Sequence, residues 1–374
     1  MPFVAARSSR FVAAFLIAPA AFVGQALAHH GIGRYDPTGY IELEGLVSGV
    51  DFVNPHAYVN FDSVADDGTV IAMRCEMRAA TVLRRSGWSP EMFEPGVSIA
   101  ITGRPHRDDP TACHVDTLTL GESSTLERYQ QLSDTVPVEQ HARPAWLPTG
   151  EPNLAGDWAQ EQQILARAPD GRVGLVPMSQ IPAIEAGDIP MPDGPDGWFP
   201  PPVTLTEAGL AAQAAQRNRT TADRARQSCE IVSILFDWVF DGTINRITQT
   251  ADRITLDYGR GLTRVVHMDI AAHPAGIVPS RAGHSIGHWD GDTLVVETVG
   301  FEPGTLAGGV PHSGELRIVE RFTLDPETLV LSREYVAEDP LYFADAYVDS
   351  DTVLPADAPF AVDRCEELAP ELQQ

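Results

Sequence analysis

Two short stretches hold the residue types from which an acid–base or ligand-orienting site is built. In the first, His284 and His288 stand four apart in an alternating segment, and Glu297 follows. Asp290-Gly291 lies just beyond His288 and is a tight hairpin signal. Counted outward from that turn, Trp289 faces Asp292, His288 faces Thr293, Ile286 faces Val295 and His284 faces Glu297. A period of two then gathers His284, Ile286, His288, Thr293, Val295 and Glu297 on one face, with Trp289, Leu294 and Val296 on the other. Imidazoles beside a carboxylate can move protons or hold a metal; on a face open to water the same set is a solvated His–Glu pair.

In the second stretch, a turn at Asp325-Pro326-Glu327-Thr328 sets Glu320 opposite Arg333. Their same-face neighbours are Leu316, Ile318, Phe322 and Leu324 on one strand and Leu329, Leu331 and Tyr335 on the other. A carboxylate inside such a stripe must be paired or protonated, because an unpaired buried charge costs several kcal/mol. The pair is therefore expected to point inward, either as a salt bridge that holds register or as a ligand-orienting pair on a cavity wall. His284, His288, Glu320 and Arg333 form the expected catalytic set. Glu297, His312, Tyr335, Asp339 and Tyr342, on the same faces or at strand ends, are the expected ligand contacts. His267 and His273 are read as structural.

A different chemistry lies at the beginning of the chain. Arg7 and Arg10 precede an apolar run from Phe11 to Val23, and Ala26-Leu27-Ala28 supplies a small-x-small cleavage pattern. The run is interrupted by Pro19 and is shorter than the ~20 residues of a membrane span, so residues 1–28 are expected to be a signal peptide. Cleavage after Ala28 exposes the amine of His29 beside its own imidazole, a chelate that a second imidazole, such as that of His56, can complete for copper. The mature protein is then periplasmic or secreted. In that oxidising setting the four cysteines allow three connectivities, of which Cys75–Cys113 with Cys229–Cys365 is the economical one, each bond inside one domain.

The elements that must position these residues are mostly strands. Ile41–Val50, His56–Val64, Val70–Met77, Val97–Gly103 and His114–Leu120 alternate as strands, with a helix-compatible Arg78–Ser86 after the third. Three strands, a helix and two strands is the order of an OB-like five-stranded barrel, spanning 29–120. Residues 121–152 are proline-bearing and read as a linker. From 153 to 374 a second domain opens with Gly156-Asp157-Trp158, then a proline-rich excursion at Pro177–Pro202 and a helix over Thr206–Arg226. Hairpins from Ile231 to Tyr347 follow, as in an up-and-down barrel. The fold class is mainly β, an OB-like barrel followed by a lipocalin/calycin-like antiparallel barrel with a helical and proline-rich insertion.

The first domain resembles a family of bacterial exported OB-like domains of unknown function. The resemblance rests on His29-His30-Gly31, Tyr35-Asp36, Leu43-x-Gly45-x-Val47, Asn54-Pro55-His56 and Gly87-Trp88. The second is similar to a calycin-like bacterial family, also without an assigned activity. Its marks are Gly283-His284-Ser285-Ile286-Gly287-His288-Trp289-Asp290-Gly291-Asp292-Thr293-Leu294-Val295-Val296, His312-Ser313, Glu320-Arg321 and Asp339-Pro340. The barrel resemblance implies binding of a small hydrophobic or aromatic molecule, and some barrels of this build act as cofactor-independent lyases or isomerases.

Three functions compete. The barrel binds such a molecule and transforms it by acid–base chemistry; or the chain handles copper through His29 and His56 without catalysis; or it is a structural module of an exported assembly whose protein partner the sequence does not name. The first two differ in cofactor, none against copper. The formal net charge of −26 repels phosphate backbones and anionic lipid, so neither nucleic acid nor a membrane is an expected partner. No Gly-rich phosphate loop or His-Glu-x-x-His motif is present.

Overall fold

The computed structural model describes residues 34–365, apart from 37, 66, 129, 133–142, 192–202, 218–229, 241, 308 and 363–364. The leader, His29 and Cys229 therefore lie outside the described residues. Among the described residues no helix is long and apolar enough to cross a membrane.

The first barrel is built from β1 (Ile41–Asp51), β2 (Tyr58–Val64), β3 (Val70–Glu76), β4 (Ser98–Pro105) and β5 (Ala112–Leu120), with helix α1 (Ala80–Arg85) between β3 and β4. The sheet order is β3-β2-β1-β4-β5, and a parallel β3–β5 pairing closes it. Strand alternation drives this closure, since Val47, Val59, Phe61, Met73, Ile99, Ile101, Val115 and Leu118 all point into one core. Cys75 pairs with Cys113 across the closing strands and the two form a disulfide, with both residues fully buried. A two-residue strand, β6 (Leu126–Glu127), pairs with β5 inside the segment read as linker.

The second barrel has nine strands. In spatial order they are β10 (Asn245–Gln249), β11 (Arg253–Asp257), β12 (Thr263–His267), β13 (His284–Asp290), β14 (Thr293–Val299), β17 (Arg317–Leu324), β18 (Leu331–Glu338), β19 (Tyr347–Pro355) and β7 (Gly156–Ala159). Two small hairpins stand outside it, β8 (Gln163–Arg167) with β9 (Val173–Pro177), and β15 (Gly304–Ala307) with β16 (Val310–His312). The helix of the insertion spans Glu207–Arg217 and is capped by Thr206, Gly209 N–H donating to Thr206 Oγ1 at 3.1 Å. Trp158, in the opening Gly-Asp-Trp, is fully buried; its indole N–H donates to Leu154 O at 2.9 Å, and Arg143 lies over the ring at 4.1 Å.

Four details depart from the sequence expectation. The meander begins at Asn245, because Ile231–Phe240 is a turn segment. The Asp237 carboxylate accepts Val232 and Ser233 N–H there, and Ile231, Ile234, Leu235 and Trp238 pack into the barrel core. One pair, β12–β13, is parallel, which the Met268–Gly283 connection permits. Both predicted hairpin registers are displaced by two. Asp290 pairs with Thr293 around a Gly291-Asp292 loop in which only Gly291 has a positive φ (60°), as a turn with glycine first requires. Glu320 likewise faces Tyr335 rather than Arg333, because the loop runs from Asp325 to Val330 with Leu329 in the left-handed region (φ 57°). A displacement of two leaves every side chain on its expected face.

The barrels meet through polar contacts. Arg85, at the end of α1, pairs with Asp357 at 2.6 Å and donates to Gln160 O at 2.6 Å. Gln162 donates to Arg85 O and Asp357, and Asn54 bridges to Cys365, which is itself disulfide-bonded.

Candidate functional site

The seam that closes the second barrel is short: β19 pairs with β7 only at Leu354↔Ala159 and Pro355↔Trp158. Along the rest of β19 lies a cavity of about 570 Å³. Its walls come from distant parts of the chain: Gln160, Glu161 and Gln163 after β7, Phe236 and Phe240 of the turn segment, Ala307, and Tyr335, Tyr347, Asp349 and Asp351 on β18 and β19. This size accommodates a small organic molecule.

Inside the cavity Asp349 accepts the phenol hydroxyls of Tyr335 at 3.3 Å and Tyr347 at 3.4 Å. The two rings stack with centroids 5.9 Å apart and planes 26° apart, and Phe236 stacks on Phe240 at 5.5 Å. Burial pushes both phenols well above their ordinary range, so they remain donors across physiological pH. Asp349 makes no ion pair among the described residues.

Behind this wall runs a chain of alternating charges. Arg333 binds Asp351 with two nitrogens, at 3.0 and 2.5 Å, and reaches Glu320 Oε1 at 3.1 Å. Glu320 Oε2 takes the Arg264 guanidinium, which also donates to Ser285 Oγ and Thr298 Oγ1. Arg264, Glu320 and Arg333 are no more than 1% exposed. Burial alone would push Arg333 down, but Asp351 and Glu320 outweigh it and hold the guanidinium charged. Arg333 also donates to Ile234 O and Leu235 O, which ties the turn segment to the barrel wall.

The expected catalytic residues fall on opposite sides of that wall. Glu320 and Arg333 point inward, while His284 and His288 lie on the outer face, so the four do not converge on one molecule. His284 sits in an outer cluster with His267, stacked at 5.1 Å, and His273, whose Nδ1 lies 2.9 Å from its own. Burial and these two imidazoles lower its pKa. Glu297 receives His273 Nε2 at 3.3 Å and Arg317, while His288 is exposed. Of the expected ligand contacts only Tyr335 lines the cavity. Asp339 is consumed by the backbone N–H groups of Ser313, Leu341 and Tyr342 and by Ser313 Oγ, and His312 is buried against Phe301. Tyr342 packs on the barrel core.

Asp349, Asp351 and Arg264 escaped the sequence argument although their signal was present. Alternation from Tyr347 through Val353 places both aspartates inward, and Arg264 alternates with the buried Val266.

In the first barrel Glu76, 3% exposed, accepts Tyr35 OH at 2.9 Å and lies 3.2 Å from His56 Nδ1. Burial would raise its pKa, but His56, Arg128 and His114 outweigh that and hold it below the usual carboxylate range. No group of three or more His, Cys, Asp or Glu residues arranged to hold a metal occurs among the described residues.

Fold and cavity together define a mainly β protein with two closed barrels, the second compatible with small-molecule binding. Over residues 18–114 the chain is similar to a family of unknown function, DUF6152. No curated protein matches it.

Proposed function

We propose that the second barrel binds a small aromatic molecule in the cavity along β19. The observation that carries this is the half-open space of about 570 Å³, walled by Phe236, Phe240, Tyr335 and Tyr347 and holding the Asp349 carboxylate. Aromatic walls with a few convergent polar groups are the usual composition of a small-molecule site. Any proton transfer in this cavity falls to Asp349 and the two phenols, which touch the space, rather than to His284 and His288, which do not. The buried Cys75–Cys113 disulfide supports export to an oxidising compartment.

The test is calorimetric titration of the protein with phenethyl alcohol and indole, alongside Ala307→Trp, which fills the space from one wall. Saturable binding that Ala307→Trp abolishes, with its melt unchanged, is the expected result. Absence of saturable binding, or binding indifferent to that substitution, overturns the proposal.

A further inference from the structure

The charge balance around the cavity goes one step beyond its shape and rests on the binding role just proposed. Among the described residues the lining includes Glu161, Asp349 and Asp351 but no lysine, arginine or histidine. Asp351 is neutralised from behind by Arg333, and the second positive charge, Arg264, balances Glu320. Those four residues sum to zero and leave nothing over for Asp349. Its partners are two neutral phenols and the Ser350 N–H, at 3.3, 3.4 and 2.8 Å. Glu161 adds a second negative charge, held by Ser179 N–H and Oγ.

We propose that the natural ligand is cationic, an ammonium carried on an aromatic or apolar body, and that its charge pairs with Asp349. A neutral ligand filling this space strips water from the Asp349 carboxylate and returns at most a hydrogen bond, with no charge to set against it. An anion meets two carboxylates without a cation to receive it. An ammonium ion compensates Asp349 directly, and of the cavity's rings Tyr347 favours a cation near it, since Arg333 already lies over Tyr335 and Arg260 over Phe240, each at 5.0 Å. The whole-chain charge of −26 further concentrates cations at the protein surface.

Three probes of matched size separate the charge from the shape: phenethylamine, phenethyl alcohol and hydrocinnamate, titrated calorimetrically at neutral pH and low salt. The amine is expected to bind at least about tenfold more tightly than the alcohol, and hydrocinnamate not at all. Asp349→Asn should bring the ratio of amine to alcohol affinity down to about one; should that variant not fold, the order of the three probes on the unaltered protein decides alone. Equal affinity for amine and alcohol, both abolished by Ala307→Trp, overturns the ionic inference and leaves the aromatic cavity standing. Failure of all three probes to bind overturns the cavity assignment and this inference with it.

Discussion

At the scale of single residues, the buried charges of the second barrel behave as a row of four rather than as a pair. Glu320 is shared by Arg333 and Arg264, and Arg333 by Glu320 and Asp351. Replacing Glu320 by Gln leaves two fully buried guanidinium groups short of charge, and should cost roughly 3–5 kcal/mol in a denaturant titration. The double change Glu320→Leu with Arg333→Met, nearly neutral for an isolated pair, should also destabilise, because Arg264 and Asp351 lose their partners. A double variant with unaltered stability would show that the row is not coupled. Glu76 predicts a pH dependence of its own. Its folded pKa is depressed, so its contribution is present above the ordinary carboxylate pKa and is lost as pH falls through the depressed value. Glu76→Gln should therefore lower the melting temperature at neutral pH, and the gap should narrow on acidification below the carboxylate range; a gap constant with pH would contradict this.

At the scale of elements, strands carry most of the organisation and turns decide the details. The five strands and the helix of the first barrel are legible from alternation, and so is the inward direction of Glu320 and Arg333. Turn geometry is less legible. Asp290-Gly291 and Gly291-Asp292 are both acceptable two-residue loops, and the Asp325–Val330 loop is held by hydrogen bonds that no dipeptide preference encodes. The closing strands of the first barrel are fastened by a disulfide with a sequence separation of 38. Replacing both cysteines by alanine should cost about 2–5 kcal/mol of that barrel's stability, read as an earlier melting transition. Since both sulfurs are buried, reductant should act on the native protein only slowly.

At the scale of the whole molecule, the two barrels are joined by a partly buried ion pair that leads to the cavity. Arg85 belongs to the first barrel, yet it holds Asp357 and the carbonyl of Gln160, and Gln160 lines the cavity of the second. Arg85→Met should weaken ligand binding by loosening that wall and should destabilise by about 2–4 kcal/mol, through the stranded Asp357 carboxylate and lost hydrogen bonds. Calorimetry and melting on the variant check both effects; unchanged affinity would confine Arg85 to a purely mechanical joint.

What the amino-acid order determines by itself is local and periodic. It sets which residues alternate together, where chain reversals fall and which cysteines share the first barrel, since these follow from the pleat and from turn chemistry within a few residues. For the β13–β14 hairpin, whose two faces both mix polar and apolar residues, the tertiary structure alone decides which face is the inside. His284 and Glu297 share a face as the alternation requires, but only closure of the barrel turns that face outward. The cavity is likewise invisible in sequence, because Gln160, Phe236, Ala307 and Asp349 come from four separated segments. Two short pairings at the β19–β7 seam leave the gap that those segments surround, and such long-range closure depends on the packing of the entire chain.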